Sequence, residues 1–401
     1  MPEPSTGEIG VEEARARMLA GVAPLGAEPI ALSKAVGRTL AEPVAALRDQ
    51  PPFDASAMDG YAVREGETAG DFRLIGESAA GRPFLGAVNE GETVRIFTGA
   101  AVPSGCRVIV QERAVRDGER VRFEASVGAA TFVRPRGGDF KVGQVLLKAG
   151  DRLDPWRIAL ASAAGRAAVD VARRPRVAIL STGEEIVTAG HVASEAQIFD
   201  SGGPALAALV SVWGGDPVAL APAKDEEAAI AAAVADAACD LIVTVGGASV
   251  GEHDLVKPAL GRLGLKLAVD TVRLRPGKPT WFGVLEDGRR VLGLPGNPAS
   301  ALVCAELFLR PLVMALQGAE ASLRIETARL AIPLAATGPR EHWMRATLSW
   351  GEDGAVATPF ADQDSSLVTV FAHADALLRR AAGAPAAEAG SVAEVLRLER
   401  G

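Results

Sequence analysis

The spacing of apolar and polar residues changes character several times along the chain. Over residues 8–20, Ile9, Val11, Met18 and Leu19 form the apolar positions of a short amphipathic helix. Glu12 and Glu13 fall early in it, where the helix dipole favours acid. From about 45 to 150 the pattern is different. Short apolar segments (YAV, FRLIG, TVRIF, RVIVQE, VRFEA, TFVRP) alternate with Gly and Pro every few residues. That predicts β-rich structure with many turns. The stretch DASAMDGYAV carries an Asp59-Gly60 pair, a strong turn signal. Residues 153–170 read as helix again, with Asp154 as its N-cap and Pro155 at its first position.

Beyond residue 173 the apolar runs become continuous. RVAIL, DLIVTV and RRVLGL are strands apolar at nearly every position, each followed by a glycine- or proline-containing loop. Helical segments lie between them: ALAALVSVW, DEEAAIAAAVADAA and ALVCAELFLRPLVMAL. Repeated strand, loop and helix with apolar strands predicts a parallel sheet covered on both faces, at about 173–318. The tail returns to short alternating segments (ETARLAIPL, RATLSW, AVATPF, ALLRRA), which predict a small β domain, with 381–390 as a loop.

At 401 residues the chain exceeds one compact core, so several domains are expected. A net charge of −8 argues against a general nucleic-acid binder. Three widely spaced cysteines and four scattered histidines supply neither a disulfide framework nor zinc spacing. The acidic N-terminus lacks the basic and apolar regions of a signal peptide, and no apolar run reaches the roughly 18 residues of a membrane span. A cytoplasmic location and no membrane partner are the expectation.

Candidate chemistry gathers in the loops STGEE, GGASVGEHD and LPGNPAS. Each follows a predicted strand and leads toward helix, the place where open α/β sheets bind ligands. Unpaired N–H groups at such helix starts attract phosphate. Each loop alone is more commonly a tight turn; three from one sheet favour an anionic-ligand pocket. Neither G-x-G-x-x-G opening a βαβ unit nor G-x-x-x-x-G-K-[ST] is present, and there is no G-x-S-x-G elbow with a sequel of Asp and His. Glu184, Glu185, Asp225 and Asp254 lie around the loops. Each is a solvated charge or a cap on one reading and a Mg²⁺ ligand on the other, since Mg²⁺ reconciles carboxylates with phosphate. Asp254, inside the glycine loop, is the leading metal candidate. In RPGKP, Lys278 and Arg275 offer fixed cations or surface charges. Ser249 and Ser300 sit where helix caps are expected. Arg345, Ser365 and Ser366 read as surface or turn residues of the β domain.

AMDGYAV, FTGAAVP, STGEE, GGASVGEHD, RPGKP and GLPGNPASA occur in this order over most of the chain. Together they resemble the molybdopterin molybdenumtransferase family, which includes bacterial MoeA proteins and the corresponding domain of gephyrin. The resemblance implies a multidomain α/β plus β fold. An extended α/β first domain (1–44 and 139–172) is interrupted by a β-rich second domain (45–138). A three-layer α/β molybdopterin-binding domain (173–318) and a C-terminal β-barrel domain (319–401) follow.

It further implies a molybdenum insertase that cleaves adenylyl-molybdopterin with Mg²⁺ and molybdate and releases AMP. A molybdate oxygen is the expected nucleophile toward phosphorus, with no covalent enzyme intermediate. The implied assembly is a homodimer whose active sites are shared between subunits. Transient contacts with the molybdopterin-adenylylating protein and with molybdoenzyme chaperones are also implied. Carried over by position, Asp59, Glu185, Asp225, Asp254 and Lys278 are catalytic, and Asp254 and Glu185 bind metal. Thr98, Gly183, Glu184, Gly246, Gly247, Ser249, Gly251, Arg275, Pro295, Gly296, Asn297, Ser300, Arg345 and Ser365 bind substrate. The sequence departs from the family pattern at DSGGP (200–204), at Asp364 in DQDSS and at Ala248. A scaffold on the same fold, or an enzyme that adenylylates molybdopterin, are the competing functions.

Overall fold

The computed structural model describes residues 7–124, 130–222, 226–246 and 255–399. At its centre is a six-stranded sheet in the order Asp216–Ala219, Arg176–Ser181, Leu241–Val245, Arg290–Leu294, Trp281–Val284 and Lys266–Val269. The first four strands are parallel, as the apolar runs predict. Trp281–Val284 is antiparallel to both its neighbours, so the sheet is mixed rather than parallel throughout. The reason is the short connection after it. Gly288 N–H donates to Leu285 O and Leu285 N–H to Arg289 O, a tight hairpin. A parallel return would need a crossover of a dozen residues or more.

Alternation along the strands explains why they are apolar throughout. Val177, Ile179, Leu241 and Val243 face the helix Gly202–Val212 and the long helix spanning 298–316. Ala178, Leu180, Ile242 and Val291 face the opposite helices, Glu227–Ala235 and Val256–Gly261. With both faces covered, the interior positions of the central strands are closed to water. The N-terminal helix Val11–Leu19 joins the first layer through Val11, Ala14 and Met18. Ile9 lies before that helix and bridges Val272 instead.

The expected helix over 153–170 is shorter. It spans Pro155–Ala163, and Asp154 Oδ1 does accept the Arg157 N–H at 2.8 Å. Ala168–Ala172 is a strand paired with Ala27–Ala31, where β-branched Val169 and Val171 turn inward. This pairing, and that of Val44–Ala45 with Val145–Leu147, close the chain around an inserted sheet. The inserted sheet runs Cys106–Val110, Gly60–Arg64, Glu92–Ile96, Gly70–Ser78, Arg120–Phe123 and Ala114–Asp117.

In the C-terminal region five strands close into a barrel: Ile325–Leu330, Glu341–Gly351, Gly354–Pro359, Ala376–Arg380 and Val392–Arg397. A ring of so few strands has a narrow interior. Its core is accordingly rich in alanine: Ala328, Ala346, Ala357, Ala376 and Ala393. Trp343, Leu377 and Leu396 point the other way and join the core of the α/β sheet.

The helix over 298–316 is long and apolar enough on average to cross a bilayer, with a mean hydropathy of 1.7. The count of uninterrupted apolar residues did not register it, because Glu306 and Arg310 interrupt the run. Its hydropathy reflects burial, since 83% of the span lies inside the protein. A π turn at Ala305–Leu309 precedes Pro311, which lacks the N–H an α-helix needs there. Glu306 in that turn is buried, and burial pushes its pKa from 4.5 up to about 7 against the pull of Arg310. Below pH 4.5 the carboxyl is protonated in both folded and unfolded chains. As pH rises the unfolded chain ionises first, so stability falls until the folded pKa near 7 is passed. Glu306→Gln is expected to flatten this decline, by roughly 3 kcal/mol across the window. Urea melts of both proteins between pH 4.5 and 7.5 check it; parallel profiles would refute it.

Candidate functional site

Ser181, Val245 and Leu294 end three neighbouring parallel strands and lie in register. Their loops therefore leave the sheet at one edge and meet. Thr182 N–H donates to Val245 O at 2.9 Å, and Gly246 N–H to Leu294 O at 3.2 Å. Gly246 has φ +93°, and a Cβ there would stand 2.6 Å from Thr182 O. Gly296, in the next loop, packs against the Gly246 backbone. Glycine is thus a packing requirement at this edge, beyond being a turn preference. Pro295 is buried beneath it, while Gly296 and Asn297 are exposed. Glu184 and Glu185 are both exposed, and the Glu185 carboxylate folds back over Gly183.

Sequence reasoning passed over Asp200, noting DSGGP only for its departure from pattern. Asp200 accepts the Ser181 hydroxyl at 2.7 Å and the Gly203 N–H at 2.9 Å. It ties the start of the helix Gly202–Val212 to the strand edge. Aspartate three residues before a helical N–H is a capping signature, legible in the sequence.

The barrel closes on this edge. Asn297 Nδ2 donates to Ser365 Oγ at 2.9 Å, and Ala299 N–H donates to Ser365 O at 3.1 Å. Asp364 decides which serine makes this contact. Its Oδ1 accepts both the N–H and the hydroxyl of Ser366, at 2.8 and 2.7 Å, and so holds Ser366 within its own turn. Ser300 is not a cap: it is buried inside the helix Pro298–Cys304, whose N-cap position is Asn297.

Arg345 is not a surface residue. It is fully buried, Nη2 donating to Asp364 O at 2.8 Å. Its Nε and Nη1 have no hydrogen-bond partner among the described residues. Burial pulls its pKa below the usual arginine range, opposed by Asp362 and Asp364. A buried guanidinium with two unpaired donors is costly unless an anion or acceptor completes it.

Arg275 follows a different course. Its strand, Leu274–Arg275, pairs in parallel with Glu341 and His342 at the barrel rim. A pocket of about 410 Å³ opens at this seam, lined by Arg275, Arg340, His342, Thr337 and Arg380. Burial, then Arg275 and Arg345, push the His342 pKa down to about 4, so it is neutral near pH 7. Its Nε2 is buried and has no hydrogen-bond partner among the described residues. Lys278 is ion-paired with Glu8, Nζ to Oε1 at 2.6 Å. The sequence reading did not anticipate that partner, which lies far away in the chain.

Asp59 and Thr98 sit in loops at the ends of neighbouring strands of the inserted sheet. The Thr98 N–H and hydroxyl donate to Asp59 Oδ1 at 2.7 and 2.8 Å. These bonds, with Arg95 nearby, hold the Asp59 carboxyl below the usual carboxylate range. No described hydrogen bond or ion pair links Asp59 or Thr98 to the strand-edge loops of the same chain. The turn expected at Asp59-Gly60 is a bend over Ala57–Asp59, and Gly60 already begins a strand. Tyr61 is buried edge-on to Phe123, with the Arg95 guanidinium 5.0 Å from its ring centroid.

Asp225, Gly247, Ser249, Gly251 and Asp254 lie outside the described residues. Among the described residues no three His, Cys, Asp or Glu side chains converge as a metal cage. Glu185, exposed at this edge, is an oxygen donor of the kind Mg²⁺ takes together with ligand phosphates.

Three parallel strands of an α/β sheet end in register at one edge, and a barrel carrying a buried arginine closes on that edge. Residues 9–165 match the MoeA N-terminal region (domain I and II). Residues 178–315 match the probable molybdopterin binding domain, and 327–398 the MoeA C-terminal region (domain IV). A molybdopterin molybdenumtransferase of Nostoc sp. (strain PCC 7120) is 38% identical over 303 residues, 73% of this chain and 70% of that protein. Its counterpart in Staphylococcus aureus (strain COL) is 29% identical over 98% of this chain and 96% of its own length. A molybdopterin biosynthesis MoeA protein from Pyrococcus horikosii superposes with a TM-score of 0.83 at 30% identity, covering 98% of this chain and 100% of that one. The chain belongs to the molybdopterin molybdenumtransferase family, a family of transferases.

Proposed function

We propose that this protein is a cytoplasmic molybdenum insertase of molybdenum cofactor biosynthesis. It takes adenylyl-molybdopterin and molybdate, cleaves the diphosphate link, places molybdenum on the dithiolene and releases AMP. The observation that carries this reading is Arg345, buried with two guanidinium nitrogens unpaired among the described residues, beside the Ser365–Asn297 contact. Such a guanidinium suits an oxyanion such as molybdate. The glycine edge at Gly246 and Gly296 lets a diphosphate approach the backbone closely. Lys278 and Arg275 supply cations to an otherwise acidic chain. Glu185, with Asp254, would hold Mg²⁺ together with the ligand phosphates; when bound it neutralises charge on the departing phosphate. Asp59 and Thr98, which among the described residues have no hydrogen bond or ion pair to the strand edge, suit a homodimer in which the inserted sheet of one subunit serves the site of the other.

Supplying adenylyl-molybdopterin, Mg²⁺ and molybdate tests the reading. AMP release with cofactor formation is expected. No turnover would favour a scaffold, and turnover only with ATP and molybdopterin would favour an adenylylating enzyme. Asp254→Ala is expected to fold normally and to lose Mg²⁺-dependent hydrolysis. Wild-type turnover in that variant would remove Asp254 from the metal site.

A further inference from the structure

The Glu8–Lys278 ion pair has no role in the function proposed above. Glu8 is held in place by its neighbours. Ile9 N–H donates to Thr271 O at 3.3 Å, Arg273 N–H to Ile9 O at 2.8 Å, and Arg273 Nη1 to Glu8 O at 2.7 Å. Ile9 is itself buried and leads into the anchored helix Val11–Leu19. The carboxylate therefore stands at a fixed place among three cations, Lys278, Arg340 and Arg273, and they hold its pKa below the usual carboxylate range. On the other side of the pair, Gly277 locks the turn. Its φ is +118°, and a Cβ there would stand 2.3 Å from Cys304 Sγ. Both partners of the pair remain partly open to solvent, 42% for Lys278 and 33% for Glu8, so a dissolved anion can reach and exchange with the carboxylate.

We infer that Glu8 is a built-in counterion for Lys278. It holds the ammonium when no ligand is bound and yields it to an incoming oxyanion, and so it sets the affinity and the least charge of the anion that Lys278 accepts. A monoanion exchanged for the carboxylate gains little, because one negative charge replaces another. A dianion at the same distance gains more from Lys278, Arg273 and Arg340 together. The pair thus disfavours simple monoanions at a lysine that must take a polyanionic substrate. This rests on the reading that Lys278 holds substrate anion.

Titration calorimetry of the full chain with molybdate is the test, using wild type, Glu8→Gln, Lys278→Gln and the double variant. Glu8→Gln is expected to tighten molybdate binding about two- to fivefold at low salt. The gain should shrink as salt rises and disappear in the Lys278→Gln background. Perrhenate, a tetrahedral monoanion, should gain by a similar factor, because the same counterion is displaced whichever anion enters. If Lys278→Gln weakens molybdate binding while Glu8→Gln leaves it unchanged, the counterion role is overturned and the Lys278 reading stands. If Lys278→Gln has no effect, both fall. A second readout needs no ligand: acylation of Lys278, mapped by mass spectrometry, should be faster in Glu8→Gln and unchanged in Glu12→Gln, whose partner is Arg15. Equal rates at Lys278 in wild type and Glu8→Gln would also overturn the proposal.

Discussion

Lys278→Ala is expected to lower molybdate-dependent AMP release by about 10²- to 10³-fold, the loss typical of removing one fixed group that stabilises developing charge. The argument rests on placement. Lys278 follows a glycine whose backbone only glycine tolerates, and Gly277 O is held by the Thr280 hydroxyl at 2.8 Å. The turn therefore fixes the backbone from which the ammonium extends, and the ion pair with Glu8 holds its end. An exposed ion pair with Glu8 contributes little to folding, so thermal stability should stay near wild type and the defect should appear in turnover. Lys278→Arg keeps the charge but replaces a compact ammonium with a planar fork, and only partial recovery is expected. Single-turnover assays of AMP and cofactor formation check both variants. A wild-type rate in Lys278→Ala would remove this lysine from the site.

Gly60→Ala is expected to destabilise the inserted sheet by about 3 kcal/mol. Gly60 does not occupy a left-handed conformation, so the usual explanation for glycine in an Asp-Gly pair does not apply. A Cβ there would stand 2.0 Å from Ile109 O and 2.9 Å from its carbonyl carbon, both backbone atoms of the paired strand. No side-chain rotation relieves such a clash, so the strands must part. Because Asp59 is the preceding residue, its Thr98 bonds should loosen as well. Hydrogen exchange should rise over 60–64 and 106–110, and the urea midpoint should fall. Gly26→Ala is the control: it meets no atom within 4 Å, and a change within about 0.5 kcal/mol is expected. Equal effects of the two substitutions would refute the packing explanation.

Much of the architecture was legible in the sequence because burial on two faces, one face or a narrow interior leaves different apolar patterns. RVAIL, DLIVTV and RRVLGL had to be covered on both sides, and they are. Their loops had to emerge together, and Ser181, Val245 and Leu294 are in register. Capping at Asp154 followed from local chemistry alone. Local chemistry failed where a distant segment decided the outcome. Ala168–Ala172 became a strand because Ala27–Ala31 was there to pair with it. The direction of Trp281–Val284 depended on a hairpin among polar residues that apolar periodicity does not register.

The same division holds for the candidate site. The residue types and loop positions were determined by the sequence itself, since glycine-rich strand ends and a proline-bounded lysine constrain backbone geometry locally. Only the tertiary structure decided their partners. Hydrogen bonds and ion pairs act over a few ångströms of space and are indifferent to separation along the chain. Glu8 on Lys278, Ser365 rather than Ser366 on Asn297, the burial of Arg345 and the approach of Ile109 to Gly60 all arise from chain segments that meet only once the protein has folded.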